Sequence, residues 1–206
     1  MSVDVAYPVF HTPDPALALL VARQLLSVGD QEHARVCVDV ELPRVADVLH
    51  VLSAMPDAWF RKEDVDDWVR DQSDPTGLHI GVHAPQLPMD AAFLSTHLPL
   101  WASMLDQPVG SIEDTFTAVA SKYVAEIRWD SLAWPEVPER DLYADYKHAV
   151  VTVLFNASTR ELDEWSNGHT VLVHVRRGNG HGYEERHASW LAEQIGQTVI
   201  GPPQFS

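Results

Sequence analysis

The sequence is poor in the features that would name its chemistry. It holds one cysteine, Cys37, so no internal disulfide can form. That favours a reducing compartment and a cytoplasmic location. No apolar run approaches the ~20 residues that a membrane helix needs. The opening Met1-Ser-Val-Asp-Val-Ala-Tyr-Pro lacks the basic patch and apolar core of a secretory leader. The expectation is a chain with no membrane partner. Basic residues are also scarce, with 14 Lys and Arg against 30 Asp and Glu, a net charge of -16. An acidic surface repels phosphate backbones, which disfavours direct nucleic-acid binding. It is compatible with plain solubility or with a basic partner.

Signature motifs are missing as well. The chain has no H-E-x-x-H, no G-x-S-x-G and no C-x-x-C. The glycine-rich stretch Gly178-Asn-Gly-His-Gly182 lacks the Gly-Lys-Ser/Thr of a phosphate-binding loop. Two-histidine phosphoesterases carry paired His-x-Thr/Ser motifs. Here His79-Ile-Gly and His169-Thr-Val have no hydroxyl at the third position.

What the chain does hold is patterned for one globular domain over residues 1–206, with a possible meeting of two halves near 128–146. Hydrophobic residues make up 46%, a share that supports a packed core. Asp14-Pro15 caps a helix with an apolar stripe from Leu17 to Val28. Arg35–Leu42 alternates strictly and reads as a strand with one wet face. Helices follow from Val45 and through Phe60, Val65, Trp68 and Val69. Leu78–His83 reads as a strand. Residues 89–106 read as helix broken at Pro99, and 111–127 as a better helix. Residues 128–141 are irregular chain. Ala149–Phe155 is an apolar, central strand. A short helix near 158–165, a strand at Thr170–Val175, a helix at 183–195 and a strand at 198–201 complete the reading. The expected class is α+β: a roughly five-stranded mixed sheet, helices mostly on one side, and a C-terminal βαβ-like unit.

Strand alternation then suggests a polar sheet face. If Val36, Val38, Val40, Ile80, Val82, Val171, Val173 and Val175 point inward, Cys37, Asp39, Glu41, His79, His83, Thr170, His174 and Arg176 share the other side. Acids, histidines and an arginine on one face suit general acid–base chemistry, with His79, His83, His174, Asp39 and Glu41 as candidates. His79 and His83 on one strand lie ~13 Å apart and cannot bind one metal. Glu184-x-x-His187 has the spacing of a carboxylate-bundle ligand pair, but no second pair exists. No metal or cofactor is therefore assigned. Cys37 would act as a nucleophile only with a histidine beside it.

Trp129, Trp134, Tyr143 and Tyr146 crowd the proline-interrupted connection among acids, a composition that suits a protein interface. The leading expectation is an acidic module of inhibitor, immunity or accessory type that engages a larger protein, a basic partner being the kind its charge suits. A small histidine-dependent hydrolase or phosphoesterase and a structural subunit of a larger assembly are the alternatives.

Overall fold

A computed structural model describes residues 4–62, 76–78, 81–178 and 182–205. Its described strands are β1 (Asp4–Thr12), β2 (Arg35–Leu42), β3 (Trp59–Lys62), β4 (Val82–His83), β5 (Leu100–Pro108), β6 (Ala125–Asp130), β7 (Val150–Ala157), β8 (Trp165–Arg176) and β9 (Gln204–Phe205). The helices are α1 (Pro15–Leu26), α2 (Val45–Ala54), α3 (Ala91–Ser95), α4 (Glu113–Ala120) and α5 (Tyr183–Gln194). The strands form one sheet in the order β4-β3-β5-β2-β6-β7-β8-β1-β9. Every pairing among the named strands is antiparallel.

This overturns the five-stranded mixed sheet. Five strands lie where the sequence reads as helix, irregular chain or nothing. Residues 100–108 and 125–130 are β5 and β6, and β1 had no counterpart in the reading. Trp59–Lys62 is strand rather than the start of a helix, and residues 158–164 form a loop. The βαβ-like end also fails. β8 and β9 run the same way but flank β1, which opposes both. Residues 198–201 are not a strand; β9 lies at Gln204–Phe205.

The same arrangement recurs across the sheet. Each helix joins two strands that point the same way, with at least one opposing strand slotted between them: β1-α1-β2, β2-α2-β3, β4-α3-β5, β5-α4-β6 and β8-α5-β9. Both sheet edges are two-residue strands, β4 and β9, too short to template pairing with another chain.

The core explains why the helices share one layer. Val36, Val38 and Val40 of β2, Ile127 and Trp129 of β6, Val151, Val153 and Phe155 of β7, and Val171, Val173 and Val175 of β8 point to one face. Leu19 and Leu25 of α1, Val48 and Val51 of α2, Phe116 of α4 and Leu191 of α5 join them in one cluster. Each large apolar side chain buried there contributes about 1.5–3 kcal/mol. Local signals set the helices that cover this face. Asp14 Oδ1 accepts the Ala16 and Leu17 amides at 2.9 and 3.3 Å, and Pro15 opens α1. At α4, buried Glu113 accepts the Gly110 amide at 2.7 Å and the Ile112 amide at 3.1 Å.

Candidate functional site

Among the described residues the opposite face of the sheet carries no helix, and its polar residues can now be placed by register. Asp39 lies between Ser103 of β5 and Glu126 of β6, while Glu41 lies across from Trp101. His83 lies on the edge strand β4 across from Trp59, exposed, with the two rings 6.0 Å apart. His174 is in β8, six strand spacings away, or roughly 29 Å at ~4.8 Å each. Asp39 aligns across three strand spacings with Thr170, four residues from His174, which puts Asp39 and His174 roughly 20 Å apart. His79 lies outside the described residues. The structure therefore does not bring His83, His174, Asp39 and Glu41 into one cleft.

It brings other groups together instead. Asp39 accepts a short hydrogen bond from the Ser103 hydroxyl, and the Arg61 guanidinium is 3.5 Å away. Glu126 stands directly across from Asp39, with Arg128 3.8 Å away and Arg128 itself bound to Asp130 at 2.9 Å. Burial pushes the Glu126 carboxyl up to about 7, with Asp39 and Asp130 adding to the rise and Arg128 opposing it. Burial also raises Asp39, against the pull of Ser103 and Arg61. Two carboxyls on directly opposed residues of neighbouring strands, one of them readily protonated near neutrality, have the chemistry of an acid–base pair. Sequence reasoning missed Ser103, Glu126 and Arg128 because most of β5 and the first half of β6 read as helix, and the chain from Arg128 as irregular. The signal was present in Ala125-Glu-Ile-Arg-Trp-Asp130, which alternates as strictly as β2.

His174 is tied into structure. Its Nδ1 lies 2.8 Å from Asp4 Oδ2 and its Nε2 3.0 Å from Thr152 Oγ1. Burial lowers its basicity, against the pull of Asp4. Asp4, hydrogen-bonded to His174 and 3.1 Å from Arg160, is held well below the usual carboxylate range. Arg160 comes from the β7–β8 loop, which also lays Leu162 on a small second core of Ala6, Leu154, Ala157 and Leu172. This half of the face is covered rather than open. Cys37 is buried opposite Arg128, and burial raises its thiol, so it is not a ready thiolate. Among the described residues, no group of three or more His, Cys, Asp or Glu is arranged to hold a metal ion.

The aromatic candidates divide in two. Trp129 and Trp134 are fully buried. Trp129 donates its indole N–H to Glu113 at 3.1 Å, and Trp134 donates its own to the His174 carbonyl at 2.8 Å. Both are core residues with satisfied polar ends, which removes them from any free surface. Tyr143 and Tyr146 are 68% and 77% exposed. The Tyr143 ring stacks with Tyr183 at 6.3 Å, and the Tyr143 amide donates to the Tyr183 hydroxyl at 3.2 Å. Beside them, at the end of β8 and the start of α5, is a cavity of about 410 Å³. Tyr143, Asp145, Arg176, Arg177, Tyr183 and Arg186 are among the residues that line it. Asp145 holds this corner together by accepting the Lys147, His148 and Arg176 amides at 3.0–3.1 Å. Arg177 extends the surface by lying over the exposed Phe205 ring at 5.3 Å.

No helix among the described residues is long and apolar enough to cross a membrane. Compared with known proteins, the chain matches no family model, no curated protein and no solved structure.

Proposed function

We propose that this chain is a protein-recognition module of the reducing cell interior, and that its contact surface is the Tyr–Arg end of the sheet. The observation that carries the reading is the exposure of Tyr143 in the lining of a cavity shared with Tyr183, Arg176, Arg177 and Arg186, with Tyr146 exposed three residues further along the chain. Tyrosine and arginine dominate the residues that carry binding energy at interfaces, where a rigid ring buries area at low entropic cost. The net charge of -16 acts at longer range, steering the module towards a positively charged partner and away from nucleic acid. The test places a photo-crosslinking side chain at Tyr146 and, as a control, at exposed Leu49 on the helical layer. Discrete adducts from position 146, absent from position 49 and lost with Tyr143→Ala, support the reading. Identical patterns from the two positions, or none from 146, overturn it.

A second reading, acid–base hydrolysis, draws on the Asp39–Glu126 pair rather than on the histidines. The adjacency of two carboxyls with Ser103 and Arg61 favours it. It requires a hydrolytic activity of the wild-type chain that both Asp39→Asn and Glu126→Gln abolish while the fold is kept. Unchanged activity in either variant removes it.

A further inference from the structure

In a chain with about two acids for every base, an arginine without an acidic partner is unusual. Arg23, Arg44, Arg61, Arg128, Arg140 and Arg160 each lie within 2.8–3.5 Å of an Asp or Glu oxygen. Arg35 donates to the Ala34 carbonyl at 2.8 Å instead of an acid, and Arg176 and Arg177, consecutive and exposed at the end of β8, likewise make no ion pair with any described residue. Both line the same 410 Å³ cavity, and Arg186 of α5 lines it with them. The Arg176 backbone is held by its amide, which donates to Asp145 Oδ2 at 3.1 Å, and the Arg177 guanidinium lies over the Phe205 ring. Of the two acids in the lining, Asp145 is engaged by three backbone amides and by the His148 ring at 3.1 Å. Asp141, also exposed, is the acid that opposes an anion there. The start of α5 adds little, because Glu184 and Glu185 already occupy its first turn.

We propose that this cavity binds an organic phosphate monoester, its dianion held by the Arg176–Arg177 pair and its organic part set against Tyr143 and Tyr183. The inference rests on the reading of this end of the sheet as the recognition surface, and it names the chemistry that surface accepts. A phosphate monoester suits a cavity with two arginines in its lining, because its three oxygens accept several charge-assisted hydrogen bonds at once. The aromatic wall distinguishes an organic phosphate from the inorganic ion.

Calorimetric titration of the full chain with phenyl phosphate at pH 7 tests this directly, with phenol and inorganic phosphate as controls. Saturable binding of phenyl phosphate is expected, tighter than inorganic phosphate, with no binding of phenol. Arg176→Ala and Arg177→Ala each weaken it roughly tenfold or more. Asp141→Asn strengthens it severalfold by removing the opposing charge. AMP and O-phosphotyrosine then separate a free nucleotide from a phosphorylated side chain as the natural source. The proposal is overturned if phenyl phosphate shows no saturation to about 10 mM. It is equally overturned if binding survives the double Arg176→Ala/Arg177→Ala variant with its melting temperature unchanged. Both arginines are exposed, so the variant retains the core. The crosslinking test does not depend on phosphate, so loss of one result without the other tells the two readings apart.

Discussion

Replacing His187 with leucine should make the protein more stable in acid. His187 lies on α5 with no exposed surface, and neither of its ring nitrogens has a hydrogen-bond partner. Its neighbours are the Tyr183 ring at 5.9 Å and the Trp190 ring at 6.5 Å, with the Asp145 charge as the one favourable influence on the imidazolium. Burial therefore pushes its pKa from 6.5 down to about 4. The sign follows from linkage. Between pH 6.5 and 4 the unfolded chain holds a proton on this residue that the folded chain does not, so stability is lost as pH falls through that window. At 1.36 kcal/mol per pKa unit the full loss is about 3 kcal/mol, of which about 2 kcal/mol has accrued by pH 5. Leucine is close to histidine in size and leaves no orphaned nitrogen. Near pH 7.5 the variant should therefore equal or exceed the wild type, by up to about 2 kcal/mol. Urea unfolding of both proteins at pH 7.5 and pH 5 measures the two gaps. The reasoning fails if His187→Leu loses more than about 1 kcal/mol at pH 7.5, since the ring would then be contributing a hydrogen bond that leucine cannot make. It also fails if the gap is the same at both pH values.

Glu126 acts in the opposite sense. Its carboxyl, raised to about 7, takes up a proton on folding, so its contribution to stability is lost as pH rises from about 4.5 towards 7. Glu126→Gln should gain about 2 kcal/mol more over the wild type at pH 8 than at pH 5, read by the same unfolding curves. Asp4 is held in its ionised form by His174 and Arg160. Asp4→Asn should cost about 2 kcal/mol at neutral pH, and the deficit should shrink as the medium is acidified through the carboxylate range. A deficit that does not vary with pH would mean packing, not charge, is lost.

The sequence disclosed parts of this fold according to how local their signals are. α1, β2 and β8 were legible because a cap or a strict alternation marked each one. β6 was hidden by coincidence. Phe116, Val119, Ala120, Tyr123 and Ile127 keep a helical period, so the stripe of α4 ran on through a segment that also alternates. β1 was obscured by Pro8, which demotes a strand in sequence but here sits at a register shift against β8. Strand order was not legible at all. The slotting of β1 between β8 and β9, or of β2 between β5 and β6, depends on pairings between distant segments. The polar face was therefore anticipated in composition while its partners were not. Asp39 meets Glu126 and Ser103, and the histidines stay far apart, because order and not alternation decides neighbours. The interface residues show a second limit. Trp129 and Trp134 occur in the same stretch as Tyr143 and Tyr146, yet their indole N–H groups have partners inside the core.

The local basic pair must work against the charge of the whole molecule, and that conflict bears on what can bind. A charge of -16 on a sphere of about 20 Å radius gives a surface potential of about 3 kcal/mol per unit charge without screening. Screening reduces this to about 2 kcal/mol at 10 mM salt and about 1 kcal/mol at 150 mM. A dianion thus pays about 2 kcal/mol less to approach at the higher salt. Contacts from Arg176 and Arg177 to the proposed phosphate would act at hydrogen-bond range, well inside a Debye length, so they would lose less over the same change. An extended polyanion would meet the repulsive field along its whole length, whereas a compact one meets it once and is met there by two guanidinium groups. Affinity for phenyl phosphate should therefore hold steady or rise severalfold between 10 and 150 mM salt, the reverse of binding in a basic groove. A steep fall over that range would mean that the field at this corner of the sheet is positive out to a Debye length. The acids of the surface would then have to lie elsewhere on the molecule, and the partner's basic face with them.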